Sequence, residues 1–236
     1  MILLRSAAFN LYFFGLTFLM TVVLATPVRF AAPHRVLDVA RLWARLMLWG
    51  LGAICGIRLH VSGRDRLGSD AALIASQHQS AFDTFVWLTL VPRCCYVLKR
   101  ELLRIPLFGP LLSLSGMIAV DREGGGGALR AMVREGERAM RERRQIVIFP
   151  EGTRGEPGRI LPLQPGVAAL AARTGLPVTP VVTDSGRCWS RRAFHKRPGI
   201  IHVRVLEAIG PGMAREELMA RLETALRTDA VEKSGG

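Results

Sequence analysis

Tyrosine is scarce in this chain, at two in 236 residues. That scarcity, with no recognisable nucleic-acid-binding motif, argues against nucleic acid as the partner of a basic protein. Cysteine is also sparse. Cys55, Cys94, Cys95 and Cys188 show no metal-ligand spacing. The adjacent pair is poorly placed to bridge itself, so the four read as reduced thiols in a cytosol-facing protein. The glycine run Gly124 to Gly127 is followed by no Lys-Ser/Thr pair, which excludes a P-loop and leaves a flexible loop. There is no internal repeat. Acidic residues are outnumbered, 19 against 32 Lys and Arg, for a net charge of +13, while 50% of the residues are hydrophobic. Basic and apolar together suit a protein on an anionic membrane surface or one handling anionic substrates.

The apolar residues concentrate first at the N-terminus. Ser6 to Thr26 carries no charge and has about the roughly 20 residues that span a bilayer. It is long for a signal peptide, and no clear cleavage site follows. Arg5 precedes it, and Arg29 and Arg35 follow, so the flanking charge sets no orientation. After Pro27 and Pro33 comes a second apolar stretch, Leu42 to Ile57, broken by Arg45 and carrying Trp43 and Trp49. Two readings are open: a helical hairpin dipping into one leaflet, or one span followed by a core helix. The expected division is a membrane-associating hairpin over 1–58, a catalytic body over 59–230, and a disordered tail over 231–236.

Within the body, strands are expected at Ala71 to Ser76, Tyr96 to Leu98, Met117 to Val120, Ile146 to Phe149, Val178 to Val182 and His202 to Leu206. Helices are expected over Phe85 to Leu90, Ala128 to Arg144, Val167 to Arg173 and Ala214 to Thr228, and the stretch from Lys99 reads as a helical start, a turn and a second short helix. Pro180 inside its strand predicts a sheet edge or a bulge. Strands alternating with helices give the α/β class, a sheet flanked by helices.

The stretch His78-Gln-Ser-Ala-Phe-Asp83 falls on the turn between an expected strand and an expected helix. On a continuous helix, five residues turn through about 500°, so His78 and Asp83 would point to different faces. They meet only if the chain bends between them, and Ser80 is placed to cap a helix after such a bend. Asp83 would then fix the imidazole tautomer, leaving the other ring nitrogen free to take a proton. The plainer reading is that Ser80 to Asp83 is only a capping box, with Asp in place of Glu or Gln.

Four blocks in order resemble the glycerolipid acyltransferase family, whose best-known members are 1-acyl-glycerol-3-phosphate acyltransferases. His78 and Asp83 match its His-x4-Asp block. Lys99, Pro106, Gly109, Gly116, Asp121 and Arg122 match its second. Phe149-Pro-Glu-Gly-Thr-Arg154 matches its third letter for letter, and Leu176 to Val182 its fourth, an apolar strand holding a proline. One departure stands out: Gln164 occupies a place where the family usually has Lys.

The resemblance implies a mixed sheet flanked by helices, the glycerol-3-phosphate acyltransferase-like fold, with an apolar two-helix membrane motif in front. It implies transfer of a fatty acyl chain from acyl-CoA or acyl carrier protein to the 2-hydroxyl of 1-acyl-glycerol-3-phosphate, giving phosphatidic acid, at the cytoplasmic face of a cell's inner membrane. No cofactor or metal is expected. His78 would be the base and Asp83 its orienting partner. Arg122 and Arg154 would hold phosphate bidentately. Glu151 would orient the acceptor or pin Arg154, and Gly152 and Thr153 would form a tight turn under the ligand. Lys99 reads equally as a substrate contact or a solvated charge. Backbone N–H groups after Ser80 are expected to hold the oxyanion. Gln164 keeps another acceptor open, such as a lyso-ornithine lipid or a lysophospholipid in remodelling. The rival of another class is a non-catalytic lipid-binding membrane protein.

Overall fold

The structure, a computed structural model, describes residues 1–121, 124–159, 161–191 and 193–231. Arg122 therefore lies outside the described residues, as does 232–236 of the expected tail.

The chain opens with α1 (Ile2–Leu19). A wider π-helical stretch (Met20–Ala25) carries it without a break into α2 (Thr26–Ala31). Together they make a 30-residue apolar helix, whose most apolar 18-residue window has mean hydropathy 1.9. Pro33 opens the turn that sends α3 (Val36–Gly50) back along it. Gly50 permits close approach: a β-carbon there would fall 2.3 Å from the Tyr12 ring. The Tyr12 hydroxyl donates to the Leu46 carbonyl at 2.7 Å, and the Trp43 indole donates to Thr17 Oγ1 at 3.0 Å.

Seven strands follow: β1 (Ile57–Ser62), β2 (Ala72–Ser76), β3 (Cys94–Lys99), β4 (Ile118–Val120), β5 (Gln145–Ile148), β6 (Val178–Thr183) and β7 (Gly199–Val205). They form one sheet in the order β1-β7-β6-β2-β5-β3-β4, and only the β6–β7 pair is antiparallel. The connecting helices are α4 (Asp83–Leu90), α5 (Phe108–Leu114), α6 (Gly125–Arg141), α7 (Gly166–Thr174), the single turn α8 (Ser185–Cys188) and α9 (Arg215–Val231).

Side-chain alternation divides the core between the two faces of the sheet. Ile74, Val147, Cys94 and Tyr96 join a cluster with α1, α3 and α4. Leu73, Ala75, Ile146, Ile148 and Cys95 join another with α6, α7 and α9. The adjacent thiols of Cys94 and Cys95 thus point to opposite layers, and all four cysteines are free and buried. Phe9 of α1 is fully buried and meets Trp189 edge-on at 5.7 Å, so the N-terminal helices share a core with the body.

Three details differ from the sequence reading. First, β1 was not foreseen. It pairs in parallel with β7 at the sheet edge. Second, β6 is an interior strand despite Pro180. Its partner takes up the misfit: Val181 pairs with Val205, but Val178 bridges to Ile209, so the partner strand has one extra residue opposite Pro180. Of the two expectations for this proline, the bulge is the one realised. Third, Gly125 to Gly127 form the first turn of α6 and not a separate loop. Their poor helix propensity is overridden by the packing of Met132, Gly136 and Ala139 further along the helix.

Gly116 offers a direct test of the packing. It has φ +69, and an added β-carbon would fall 1.7 Å from Nη1 of Arg144. That guanidinium is buried and donates to the Cys94 carbonyl at 2.8 Å, so it has little room to move. Gly116→Ala is expected to destabilise the protein by about 2–4 kcal/mol, combining left-handed backbone strain with overpacking. A denaturant midpoint unchanged from the parent would contradict this.

Candidate active site

β2 and β5 are adjacent and parallel, with Ala75 opposite Ile148. The loops leaving their carboxyl ends therefore emerge side by side, as in other open α/β sheets. One carries His78 and the other carries Pro150 to Gly155. This adjacency brings together blocks some seventy residues apart in sequence.

The His78 loop is clamped on both sides. On the β5 side, Glu151 Oε2 accepts the His78 N–H at 3.0 Å, and the His78 carbonyl accepts the Gly155 N–H at 2.7 Å. On the β6 side, Gln77 Oε1 accepts the Thr183 N–H and Gln79 Oε1 accepts the Gly186 N–H, both at 3.2 Å. The turn then closes through Asp83. Its Oδ2 accepts the N–H of Gln79 at 2.7 Å and of Ser80 at 2.8 Å, and Ser80 Oγ accepts the Phe82 N–H at 3.1 Å. Ser80 thus caps a lead-in turn, and α4 proper starts three residues later.

The same Oδ2 lies 3.3 Å from His78 Nδ1. A carboxylate only accepts, so Nδ1 carries the proton. The capping box and the His–Asp pair, set apart as alternatives above, are one arrangement sharing one oxygen. The distance is long for a charge-assisted bond. Nε2 has no hydrogen-bond partner among the described residues. The imidazole stacks on Phe149, centroids 4.1 Å apart and planes at 17°.

His78 stands in the wall of a cavity of about 420 Å³. Thr84, Lys99, Arg154 and Phe149 also line it. The remaining lining is chiefly apolar, from α3 (Val39, Trp43), β3 and α5 (Leu111, Leu112). The cavity is thus a greasy pocket with a few polar groups in its wall, His78 and Arg154 among them.

The other expected residues fall as follows. Glu151 is buried, and its oxygens face the N–H groups of His78 and Leu161. Burial raises its carboxyl above the ordinary glutamate value, and those N–H groups pull the other way. Gly152 has φ +68, the left-handed turn expected of it, and Thr153 is exposed on that turn. Arg154 is half-buried. Burial lowers its guanidinium from the usual arginine value, Asp83 offsets this, and the like charge of Arg191 adds to it. Lys99 pairs with Glu101 at 3.0 Å. Gln164 packs against the Gly152 turn, its Cγ 3.3 Å from where a Gly152 β-carbon would sit.

The expected oxyanion donors are otherwise engaged. From Gln79 to Phe85, every N–H except that of Ala81 is bonded within the turn or to Asp83. Phe149 was matched as part of a motif but not foreseen as a site residue. Alternation along β5, with Val147 on the same face, is the signal that puts its ring beside His78.

Comparison with known proteins matches the acyltransferase family model over residues 58–184, more than half of the chain. The chain is 36% identical over 174 residues to a 1-acyl-sn-glycerol-3-phosphate acyltransferase of Pseudomonas aeruginosa, covering 74% of this chain and 66% of that one. It is 33% identical over 176 residues to the human 1-acyl-sn-glycerol-3-phosphate acyltransferase beta, covering 73% and 63%. In both cases the match spans just under two thirds of the relative's length. The crystal structure of the 1-acyl-sn-glycerophosphate acyltransferase PlsC from Thermotoga maritima has the same fold, with TM-score 0.79 at 22% identity, covering 100% of this chain and 99% of that one. Motif order, family model and fold agree: the chain belongs to the glycerolipid acyltransferase family.

Proposed function

We propose that this protein transfers a fatty acyl group from a thioester, acyl-CoA or acyl carrier protein, to the 2-hydroxyl of 1-acyl-sn-glycerol-3-phosphate. The observation that carries this reading is the His78–Asp83 pair, with His78 in the wall of a mainly apolar cavity. His78 Nε2 takes the hydroxyl proton as the oxygen attacks the thioester carbonyl. The tetrahedral intermediate collapses, the C–S bond breaks, and the imidazolium returns its proton to the leaving thiolate. Asp83 stabilises the imidazolium between those steps. The acyl chain lies in the cavity, where each buried CH₂ contributes about 0.8 kcal/mol.

Arg154 is the phosphate ligand in this reading. It lines the cavity with His78, and among the described residues no carboxylate lies within 4 Å of it. Arg154→Ala is expected to raise the KM for lysophosphatidate about 10- to 100-fold, the scale of lost hydrogen bonds to a charged group. The donor KM should move far less; equal losses for both substrates would remove the phosphate role.

The N-terminal helices supply the membrane contact. The 30-residue helix is mostly unburied, with Leu11, Phe14 and Phe18 about two thirds or more exposed. Seated on the cytoplasmic face of the inner membrane, the site receives its lyso-lipid without drawing the chain into water.

A second acceptor is favoured by one observation. Gln164 places a neutral amide against the turn that carries Arg154, so the site has one cation fewer than the family pattern. Purified protein given labelled acyl-CoA and a panel of lyso-lipids decides between them. Phosphatidate as main product supports the first reading; product only from another lyso-lipid supports the second. Tight lipid binding without product returns the non-catalytic scaffold.

A further inference from the structure

Between β3 and α5 the chain does something costly. Ile105, Pro106, Leu107 and Phe108 are consecutive and all exposed, the first, third and fourth at 42%, 47% and 36%. Such a run is unfavourable in water unless it has a partner. Its backbone is also strained. Leu107 has φ 64 and ψ −43, and the Phe108 N–H bonds the Pro106 carbonyl at 2.7 Å. That is a γ-turn of the rare, strained hand, at a residue with a side chain. The Gly109 N–H then bonds the Ile105 carbonyl at 2.8 Å, and a β-carbon on Gly109 would fall 1.9 Å from the Leu103 carbonyl oxygen. The loop is folded tightly on itself, with its leucine at the tip.

Position gives the loop a meaning. Leu102 and Phe108 line the apolar cavity, whereas Ile105 and Leu107 do not. One short segment therefore walls the cavity on its inner side and presents bare apolar groups on its outer side. Ala25 of the exposed apolar helix and Val36 of α3 also line the cavity, and these two cluster with Leu111 of α5. Lys99, Arg100 and Arg104 flank the loop, and Arg104 has no carboxylate within 4 Å among the described residues. Apolar tip with basic collar is the pattern of a segment that enters an anionic interface.

We propose that the loop from Arg100 to Phe108 is a second membrane contact, separate from the N-terminal helices. Its tip inserts among the lipid chains, so the cavity mouth opens toward the bilayer between the two apolar elements. The lipid-entry part of this proposal rests on the acyl-transfer reading; the contact itself does not.

The native thiols are all buried, so a Leu107→Cys variant takes an environment-sensitive fluorophore selectively. With phosphatidylethanolamine–phosphatidylglycerol vesicles carrying a shallow nitroxide-labelled lipid, its emission should fall about two-fold or more. A Glu217→Cys label on α9, packed on the other face of the sheet, should not respond. In activity assays, Ile105→Glu/Leu107→Glu should lower transfer to a long-chain lysophosphatidate in vesicles about ten-fold. Transfer to a short-chain, water-soluble lysophosphatidate should stay within about two-fold of the parent. Leu107→Gly relaxes the turn while removing the side chain, and should lose vesicle activity in the same direction. An unquenched label overturns the proposal, as does an equal fall with both acceptors. So does shielding of the label by acyl carrier protein in place of lipid, which would make the loop a protein-docking site. If the parent acylates neither acceptor, the acyl-transfer reading fails while the quenching result still decides the contact.

Discussion

His78→Ala is expected to lower acyl transfer by about 10²- to 10⁴-fold, the usual contribution of a positioned general base. Membrane association should be unchanged. The fold should tolerate the change for identifiable reasons. Asp83 Oδ2 keeps its two backbone donors from Gln79 and Ser80, so no buried acceptor is orphaned. Glu151 keeps its bond to the backbone N–H of residue 78, which alanine retains. The side-chain losses are the long bond to Asp83 and the stacking on Phe149, the latter about 0.5–1.5 kcal/mol for a ring pair. A variant that sediments with vesicles like the parent but forms no product is therefore the expected result. Near-parent turnover would remove His78 from the chemistry.

Much of this site could be read from the residues because its blocks are local. His78 and Asp83 lie within six residues, and the bend between them follows from Ser80. Partners across the sheet were less legible. Glu151 was read as reaching for substrate or for Arg154, yet its carboxylate supports the His78 backbone. That bond follows from β2 and β5 being neighbours, and strand order is not written in either strand. The β1 strand was missed for a different reason. Ile57, Leu59 and Val61 alternate with polar residues, but Ile57 also completes the preceding apolar stretch and was absorbed into it. The glycine run misled because local propensity was the only guide, while packing at Gly136, more than two turns later, decides the helix. Pro180 was half legible: its missing N–H demands a bulge or an edge, and only the partner strand shows which.

Asp83→Asn separates the two duties of this side chain. All three of its contacts described above fall on Oδ2. An asparagine with its carbonyl oxygen in that position still accepts the N–H groups of Gln79 and Ser80 and the Nδ1–H of His78. The turn should therefore survive, with a loss of no more than about 1 kcal/mol, the scale of weakening one charge-assisted bond. Turnover should nevertheless fall roughly 10²- to 10⁴-fold. The imidazolium formed as the substrate hydroxyl loses its proton would face a neutral amide in place of a buried negative charge. Asp83→Ala should do something different: it leaves two buried N–H groups without an acceptor, at about 1–3 kcal/mol each. The alanine variant should unfold well before the asparagine variant in urea, although both are inactive. If Asp83→Asn turned over like the parent, the carboxylate would be a brace for the turn and its charge irrelevant to the reaction. If its urea midpoint fell with that of alanine, the amide nitrogen would be facing the two N–H groups, and the activity loss would then report a distorted turn.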